Sequence, residues 1–254
     1  MTDEGDIPAD HPRHDSLVTR HRIEAGVDSG ITSRQGLIAE GRGEAFDYLL
    51  GEQTIPSADA AARAAAAQLL LAEHPVLSVN GNAAALVPDE LVELADVVDA
   101  DLEVNLFNRT PERMKAIADH LESHGATAVK GLIGDARIPG IDHERATVDA
   151  EGIHDADVVL VPLEDGDRAE ALAEMGKVEI VVDLNPLSRS PRTAAIPVID
   201  NILRAIPNIT AHARALESAS RAERQRIVDE FDREWALRAA EDRIRSGVGT
   251  KARP

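Results

Sequence analysis

Residues 75–125, PVLSVNGNAAALVPDELVELADVVDADLEVNLFNRTPERMKAIADHLESHG, decide the fold class. PVLSVN (75–80) is a short apolar run of the kind that forms a strand buried on both faces. DELVELADVVDA (89–100) switches to helical spacing. LEVNLF (102–107) returns to strand, and TPERMKAIADHLESHG (110–125) is a helix with Thr110 as N-cap, Pro111 in its first turn and Gly125 past its end. The alternation then continues. ATAVKGL (126–132) predicts a strand, DVVLVP (157–162) another of the buried type, DRAEALAEMG (167–176) a helix, and VEIVVDL (178–184) and IPVID (196–200) two more strands. NILRAIPNITAHARALES (201–218) closes the unit as a helix despite Pro207. Strands alternating with helices predict an α/β fold over 75–218, built on a doubly wound, mostly parallel sheet.

The flanks read as helical. Leu17, Val18, Ile23 and Val27 predict a helix from Asp15 to about Gly30, within an N-terminal helical segment spanning 13–74. Residues 34–51 read as two short helices joined at Gly41–Gly43, and Pro56 opens an alanine-rich helix ending near Glu73. Residues 1–12 are expected to be a flexible arm. Residues 219–246 are expected to form one C-terminal helix with a stripe of Ile227, Phe231, Trp235 and Ala239, and 247–254 a loose tail.

Composition narrows the function. The chain has 254 residues, is 43% hydrophobic and carries 46 acidic against 27 basic residues, a formal net charge of −19. That balance disfavours binding to DNA or RNA. No apolar run is long enough to span a bilayer, the acidic start MTDEGDIPAD is not a secretory signal, and a cytoplasmic location is expected. With no cysteine there is no disulfide framework or thiolate metal site. Only Lys115, Lys130, Lys177 and Lys251 are lysines, and aromatics make up 2%. Such an acidic, arginine-over-lysine surface suits a salt-rich cytoplasm, where screening suppresses self-repulsion.

Against this background two stretches stand out: SRQGLIAEGRGEAFDYLLGE (33–52) and VVDLNPLSRSPRTA (181–194). With Arg20 from HPRHDSLVTR they bring together Arg20, Arg34, Arg42, Arg189 and Arg192, several beside glycine or proline. Arginine forks recognise phosphate or carboxylate at two points, and glycine lets a backbone approach a ligand closely. They read as parts of one anion site, for a nucleotide. In an open parallel sheet, ligands gather at the carboxyl ends of the strands. There this chain places Asn80-Gly81-Asn82, Asn108-Arg109-Thr110, Glu164-Asp165-Gly166-Asp167-Arg168 and Asn185-Pro186-Leu187-Ser188-Arg189.

Each piece alone has a plainer reading. Asn80-Gly81 is a common turn, Thr110 and Asp167 suit helix caps, and Arg109 suits a solvated position. Glu164, Asp165 and Asp167 suit a solvated acidic turn, or Mg²⁺ held through water beside a nucleotide. The nine histidines show no metal spacing. Neither the G-x-G-x-x-G fingerprint nor the G-x-x-x-x-G-K-[ST] loop is present, so phosphate charge falls to arginine, backbone N–H groups, helix N-termini and Mg²⁺. Convergence at one sheet edge is what favours a site.

The segments HPRHDSLVTR, GLIAEGRGEAFDYLLGE, PVLSVNGNAAALVP, EVNLFNRT, DVVLVPLEDGDR, DLNPLSRSPRTA and VIDNILRAIP resemble the archaeal phosphopantothenate synthetases, or 4-phosphopantoate–β-alanine ligases. The resemblance covers roughly residues 7 to 216. It implies a Rossmann-like homodimer that joins 4-phosphopantoate to β-alanine, with ATP cleaved to AMP and diphosphate, in coenzyme A biosynthesis. It assigns ATP binding to Arg20, Arg42, Asp183, Leu184, Asn185, Arg189, Ser190, Asn201 and Ile202. Family members often have His where Glu40 stands and Thr where Ser190 stands. Arg20 and Arg42 are expected to stabilise the triphosphate charge, and Asn80, Asn82 and Arg109 to meet phosphopantoate. The metal ligands stay unassigned. A non-catalytic nucleotide-binding regulator and a nicotinamide-dependent oxidoreductase are the alternatives, the second lacking its glycine-rich fingerprint.

Overall fold

The computed structural model describes residues 7–8, 10–11, 13–162 and 166–247. The strands in chain order are β1 (Pro75–Val79), β2 (Asp101–Val104), β3 (Val129–Lys130), β4 (Ala136–Arg137), β5 (Thr147–Val148), β6 (Val158–Pro162), β7 (Val178–Val182) and β8 (Ile196–Val198). Six of them form a parallel sheet in the order β3-β2-β1-β6-β7-β8, and β4 and β5 pair antiparallel. Leu77 of β1 lies between Leu102 of β2 and Leu160 of β6. The chain winds outward in both directions from β1 and β6, so the crevice beyond their carboxyl ends is the topological switch point. The doubly wound parallel sheet is as the sequence predicts.

The two faces of the sheet are covered differently. Leu77, Val79, Leu102, Val104, Leu160 and Val182 join the main core with α3 (Pro56–Leu69), α5 (Pro88–Val98), α6 (Pro111–Ser123) and α9 (Ile202–Leu216). The alanines of α3 are almost fully buried, and their small side chains let α3 and α9 pack closely. The other face puts Val76, Val159 and Val161 against Ile138, Val148, Ile153 and Leu172. Its cover is the β4–β5 hairpin, a π-type turn at Ala150–His154 and α7 (Gly166–Glu174). Glu103, in the middle of β2, is fully buried there. Its carboxylate accepts from the backbone N–H of Asp149 at 3.0 Å and of Ile153 at 2.6 Å, so it satisfies the turn from below. Burial raises its carboxyl to about 7 although those two hydrogen bonds act in the opposite direction.

Several elements differ from the sequence reading. Residues 34–50 form one helix, α2 (Arg34–Leu50), and not two. Gly41 and Gly43 are poor helix formers, but Ser33 caps the start, Gly51 ends it in the left-handed region, and packing along its length outweighs the propensity cost of about 1 kcal/mol per glycine. The C-terminal stretch forms α10 (Arg221–Asp229) and α11 (Arg233–Ser246), where one helix was expected. Ser220 and Glu223 make a reciprocal capping box, and the Asp232 side chain accepts from Trp235 N at 2.8 Å to start the second helix. The break shifts the buried face to Ala236, Leu237 and Ala240, leaving Trp235 exposed. The helices α4 (Gly81–Leu86) and α8 (Arg189–Thr193) and the β4–β5 hairpin were not read at all, and α1 (His14–Asp28) was. Most of the expected arm at 1–12 and tail at 247–254, and the acids Glu164 and Asp165, lie outside the described residues. Among the described residues no helix is long and apolar enough to cross a membrane.

The π-type turn gives a test of the second face. A Cβ built on Gly152 would overlap the buried Oε2 of Glu103. Gly152→Ala is expected to lower unfolding free energy by about 2–3 kcal/mol, read as a fall in urea midpoint with unchanged slope. Wild-type stability in that variant would show the turn able to give way.

Candidate functional site

The site is organised by α2, which lies across the carboxyl edge of the sheet. Its small residues set the approach. A Cβ on Gly36 would overlap Oδ1 of Asn82, and one on Gly43 would touch Leu184 Cδ1 at 3.4 Å. Asn82 Nδ2 donates to Gly36 O at 3.0 Å, which ties α2 to α4 beyond β1. At its far end Asp47 takes two hydrogen bonds from Arg204 of α9, at 2.5 and 3.1 Å, and one from Asn201 Nδ2 at 2.9 Å. Arg204 also reaches Asp200 at 2.7 and 3.0 Å, and Thr54 Oγ1 donates to Asp200 at 2.6 Å. Burial works against the Arg204 charge, but Asp47 and Asp200 overcome it and hold its pKa above the ordinary value. The C-terminal helix α11 seals this end, where Leu237 and Ala240 pack with Leu50 and Arg243 Nε donates to Leu50 O at 3.0 Å.

Three cavities line up along α2. The first, about 470 Å³, opens at the switch point between α2, α4 and the β2–α6 loop. Arg42, Arg113 and Arg145 line it with Asn80, Asn82 and Asn108, and among the described residues no carboxylate does. In a chain of net charge −19 that is a strong local reversal of sign. Asn80 is the N-cap of α4, accepting from Ala83 N at 3.0 Å, while its Nδ2 donates to Pro162 O at the end of β6 at 2.8 Å. It therefore spans the switch point. The second is a narrow slot between α2 and the ends of β7 and β8, lined by Gly43, Asp183, Leu184, Asn201 and Ile202. The third, about 250 Å³, lies between α1 and α2 and holds Asp15, Glu40, Glu44, Asp47 and Glu52 with Arg13 and Arg204.

The residues expected from sequence fall into distinct places. Arg42, Asn80 and Asn82 share the basic cleft, and the Arg42 charge acts on Asp183 next door. Burial raises the Asp183 carboxyl. Both its oxygens shape the following loop: Asn185 N donates at 3.0 Å and Ser188 Oγ at 2.7 Å, and Asn185 Oδ1 accepts from Leu187 N at 3.0 Å. Arg20 is on the other side of α2, forked onto Glu44 at 2.7 and 3.1 Å. Arg189 starts α8 and reaches Asp167 at 2.7 Å, with Ser190 buried beside it. Arg109 is directed away from the cleft. Its Nη2 donates to Gly131 O at 2.7 Å, and it lines a separate groove with Met114 and Leu132.

Two cleft arginines escaped the sequence reading. Arg113, in the first turn of α6, donates to Ile31 O at 3.0 Å and Asn108 O at 3.2 Å, and burial lowers its pKa. Arg145 comes from the connection between β4 and β5, a stretch with no pattern of its own. The only hint of Arg113 in the sequence is its place three residues after the Thr110 cap.

Residues 57–247 match the family described as phosphopantothenate/pantothenate synthetase. The chain belongs to this family. It is 56% identical over 227 residues to 4-phosphopantoate–beta-alanine ligase of Thermococcus onnurineus (strain NA1), covering 89% of this chain and 87% of that one. To the protein of the same name from Methanosarcina mazei it is 51% identical over 247 residues, covering 97% of each. A phosphopantothenate synthetase of this kind is a carbon–nitrogen ligase, so neither a nicotinamide-dependent oxidoreductase nor a non-catalytic regulator describes it. The family implies a nucleotide-dependent reaction.

The tether of α2 can be tested apart from catalysis. Removing Arg204 leaves Asp47 and Asp200, both buried, facing each other uncompensated. Arg204→Met is expected to cost about 3 kcal/mol of stability in denaturant titration. Lys115→Met removes an exposed pair with Asp119 and is expected to change stability by less than about 1 kcal/mol. Equal effects would show the Arg204 network to be no more than a surface pair.

Proposed function

We propose that the protein condenses 4-phosphopantoate with β-alanine to 4'-phosphopantothenate, consuming ATP and releasing AMP and diphosphate. The names of the relatives supply the two substrates. The observation that carries the chemistry is the cleft with three arginines and no described carboxylate at the switch point. A carboxylate is a poor acylating group. Its oxygen must attack the α-phosphorus of ATP, breaking the bond to the β-phosphate oxygen, so that diphosphate leaves and an acyl-adenylate remains. The amine of β-alanine then takes the acyl carbon and AMP departs.

The first step brings two anions together, and its barrier is largely electrostatic. In this reading Arg42, Arg113 and Arg145 neutralise the meeting phosphates, with Asn80 and Asn82 orienting phosphopantoate. Asn201 and the backbone of Asp183, Leu184 and Ile202 hold the nucleoside in the slot, while the Asp183 side chain and Asn185 keep its loop in shape. Arg189 and Ser190, at the start of α8 after the Asp183–Asn185 loop, complete the nucleotide contacts. Arg20 acts from the α1 side through Glu44. Arg109 holds the start of the β3–β4 loop through the Gly131 carbonyl. Among the described residues no group of three or more His, Asp or Glu side chains converges as a metal cage. Mg²⁺ fits as a partner of the triphosphate oxygens, where it would screen their charge. Exposed apolar side chains on α2, Ile38 and Leu49 among them, support a homodimer, and a biosynthetic ligase of this kind belongs in the cytoplasm.

Mass spectrometry of a mixture with ATP, 4-phosphopantoate and β-alanine is expected to show AMP and 4'-phosphopantothenate in equal amounts. ADP in place of AMP would overturn the adenylate route. Arg42→Ala is expected to reduce phosphopantoate-dependent exchange of labelled diphosphate into ATP by about 100-fold or more. Unchanged exchange would remove Arg42 from the adenylating step.

A further inference from the structure

We propose that Glu40 is the base that takes a proton from the incoming β-alanine ammonium, and that the amine arrives through the pocket between α1 and α2. The inference rests on the ligase reading above and adds to it the second half of the reaction. Glu40 is half-buried on α2 and lines two cavities at once: the narrow slot with Asp183 and Asn201, and the α1–α2 pocket. Its neighbour Ala39 lines the slot and the basic cleft. Glu40 hydrogen-bonds Asn82, whose side chain faces that cleft. It therefore stands on the wall between the arginine-lined space and an opening of opposite sign.

The opposition of charge assigns the two sides. Phosphopantoate and the triphosphate are anions, and the basic cleft suits both. β-Alanine is a zwitterion with a leading ammonium, which arginines repel and carboxylates attract. In the α1–α2 pocket Glu44 and Asp47 are already paired with Arg20 and Arg204, which leaves the exposed Asp15 and Glu52 to meet the ammonium and Arg13 to meet the carboxylate. Arg13 is half-exposed and reaches Glu44 only at 3.9 Å, so it has room for a second anion.

The proton has to go somewhere. An ammonium nitrogen has no lone pair and cannot attack. One proton passes to the Glu40 carboxylate, the freed lone pair forms the bond to the acyl carbon, and the carbon–oxygen bond to AMP breaks. The second nitrogen proton follows the departing phosphate oxygen. Burial, with Glu44 and Asp47 adding repulsion, raises the Glu40 carboxyl to about 7 against the lowering effect of Asn82, making it a stronger base than an ordinary carboxylate. The titratable groups facing it are Glu44, Asp47 and Tyr48 on its own helix and Glu52 just past it, His11, Arg13, His14 and Asp15 at and before the start of α1, Asp183 after β7, and Asp200 and Arg204 at β8–α9. Because the pKa is raised, Glu40 is protonated and inactive below about pH 7 and ionised above it, so amide formation is expected to rise through neutrality and level off.

Glu40→Gln keeps the shape and removes the basicity. The variant is expected to retain phosphopantoate-dependent ATP–diphosphate exchange within about twofold while amide formation with β-alanine falls by about 100-fold or more. Its pH profile should lose the rise near neutrality. Hydroxylamine, already uncharged at neutral pH, should capture the acyl group equally fast in variant and wild type. Loss of hydroxylamine capture to the same extent as β-alanine would overturn the proton-acceptor role, and so would normal amide formation or a collapse of exchange. Absence of phosphopantoate-dependent exchange in the wild type would strike the ligase reading itself, a result separable from any behaviour of the variant.

Discussion

The close seating of α2 on the carboxyl edge of the sheet is the constraint on which the rest depends. Gly36 lies against Asn82, Gly43 against Leu184, and Asp47 is bound to Arg204 and Asn201. A larger side chain at Gly36 would lift the helix from the switch point. Loss of Arg204 would leave buried carboxylates in mutual repulsion at its other end. One helix thus forms a wall of all three cavities, and the identity of each successive residue on it decides what that cavity can hold. Arg42 faces the basic cleft, Gly43 the slot, and Glu44 the acidic pocket. The bonds from α9 and α11 fix the helix in this position, which explains why segments at opposite ends of the chain enter one site.

The charge of the chain sharpens this arrangement. With formal charge −19 the protein repels both a nucleotide and a phosphorylated acid at long range. Salt attenuates that field over a Debye length of about 8–10 Å. Contacts from Arg42, Arg113 and Arg145 act at much shorter range in a cleft that limits water, and are screened far less. An acidic surface and a basic cleft are therefore compatible at cellular ionic strength. In the proposed reaction the same reasoning keeps the β-alanine ammonium out of the arginine cleft and admits it where carboxylates face the opening.

The sheet and its order of elements were legible because Val/Leu/Ile runs bounded by caps and glycines carry their own period. The resemblance assigns Asp183, Leu184, Asn201 and Ile202 to ATP, and the fold brings these four to one slot. Three kinds of feature were not legible. Continuity of α2 through Gly41 and Gly43 is a tertiary effect, since packing and two good ends outweigh local propensity. Arg145 rides on a segment with no periodicity, held by Asn105 Nδ2 donating to its carbonyl, a contact 40 residues away in sequence. The break at residues 230–232 depends on an aspartate acting as cap where a periodic stripe suggested continuity. Arg109 shows the converse. Its position after a strand signals a ligand contact, yet its guanidinium bonds the Gly131 carbonyl.

Burial raises the pKa of the carboxyl groups of Glu40, Glu103, Asp183 and Asp200, and their hydrogen bonds separate structure from chemistry. Both oxygens of Glu103 accept backbone N–H groups beneath the π-type turn. Those of Asp183 hold the loop after β7, and those of Asp200 are bound to Arg204, Thr54 and the Asn201 backbone. Protonating any of these three would dismantle a local fold, and none could take up a proton in each turnover without cost to it. Glu40 differs in position: it borders two cavities of opposite charge and its named partner is a single amide, Asn82. A raised pKa is thus a common consequence of burial in this protein, and only where it coincides with access from two sides does it become a means of moving a proton.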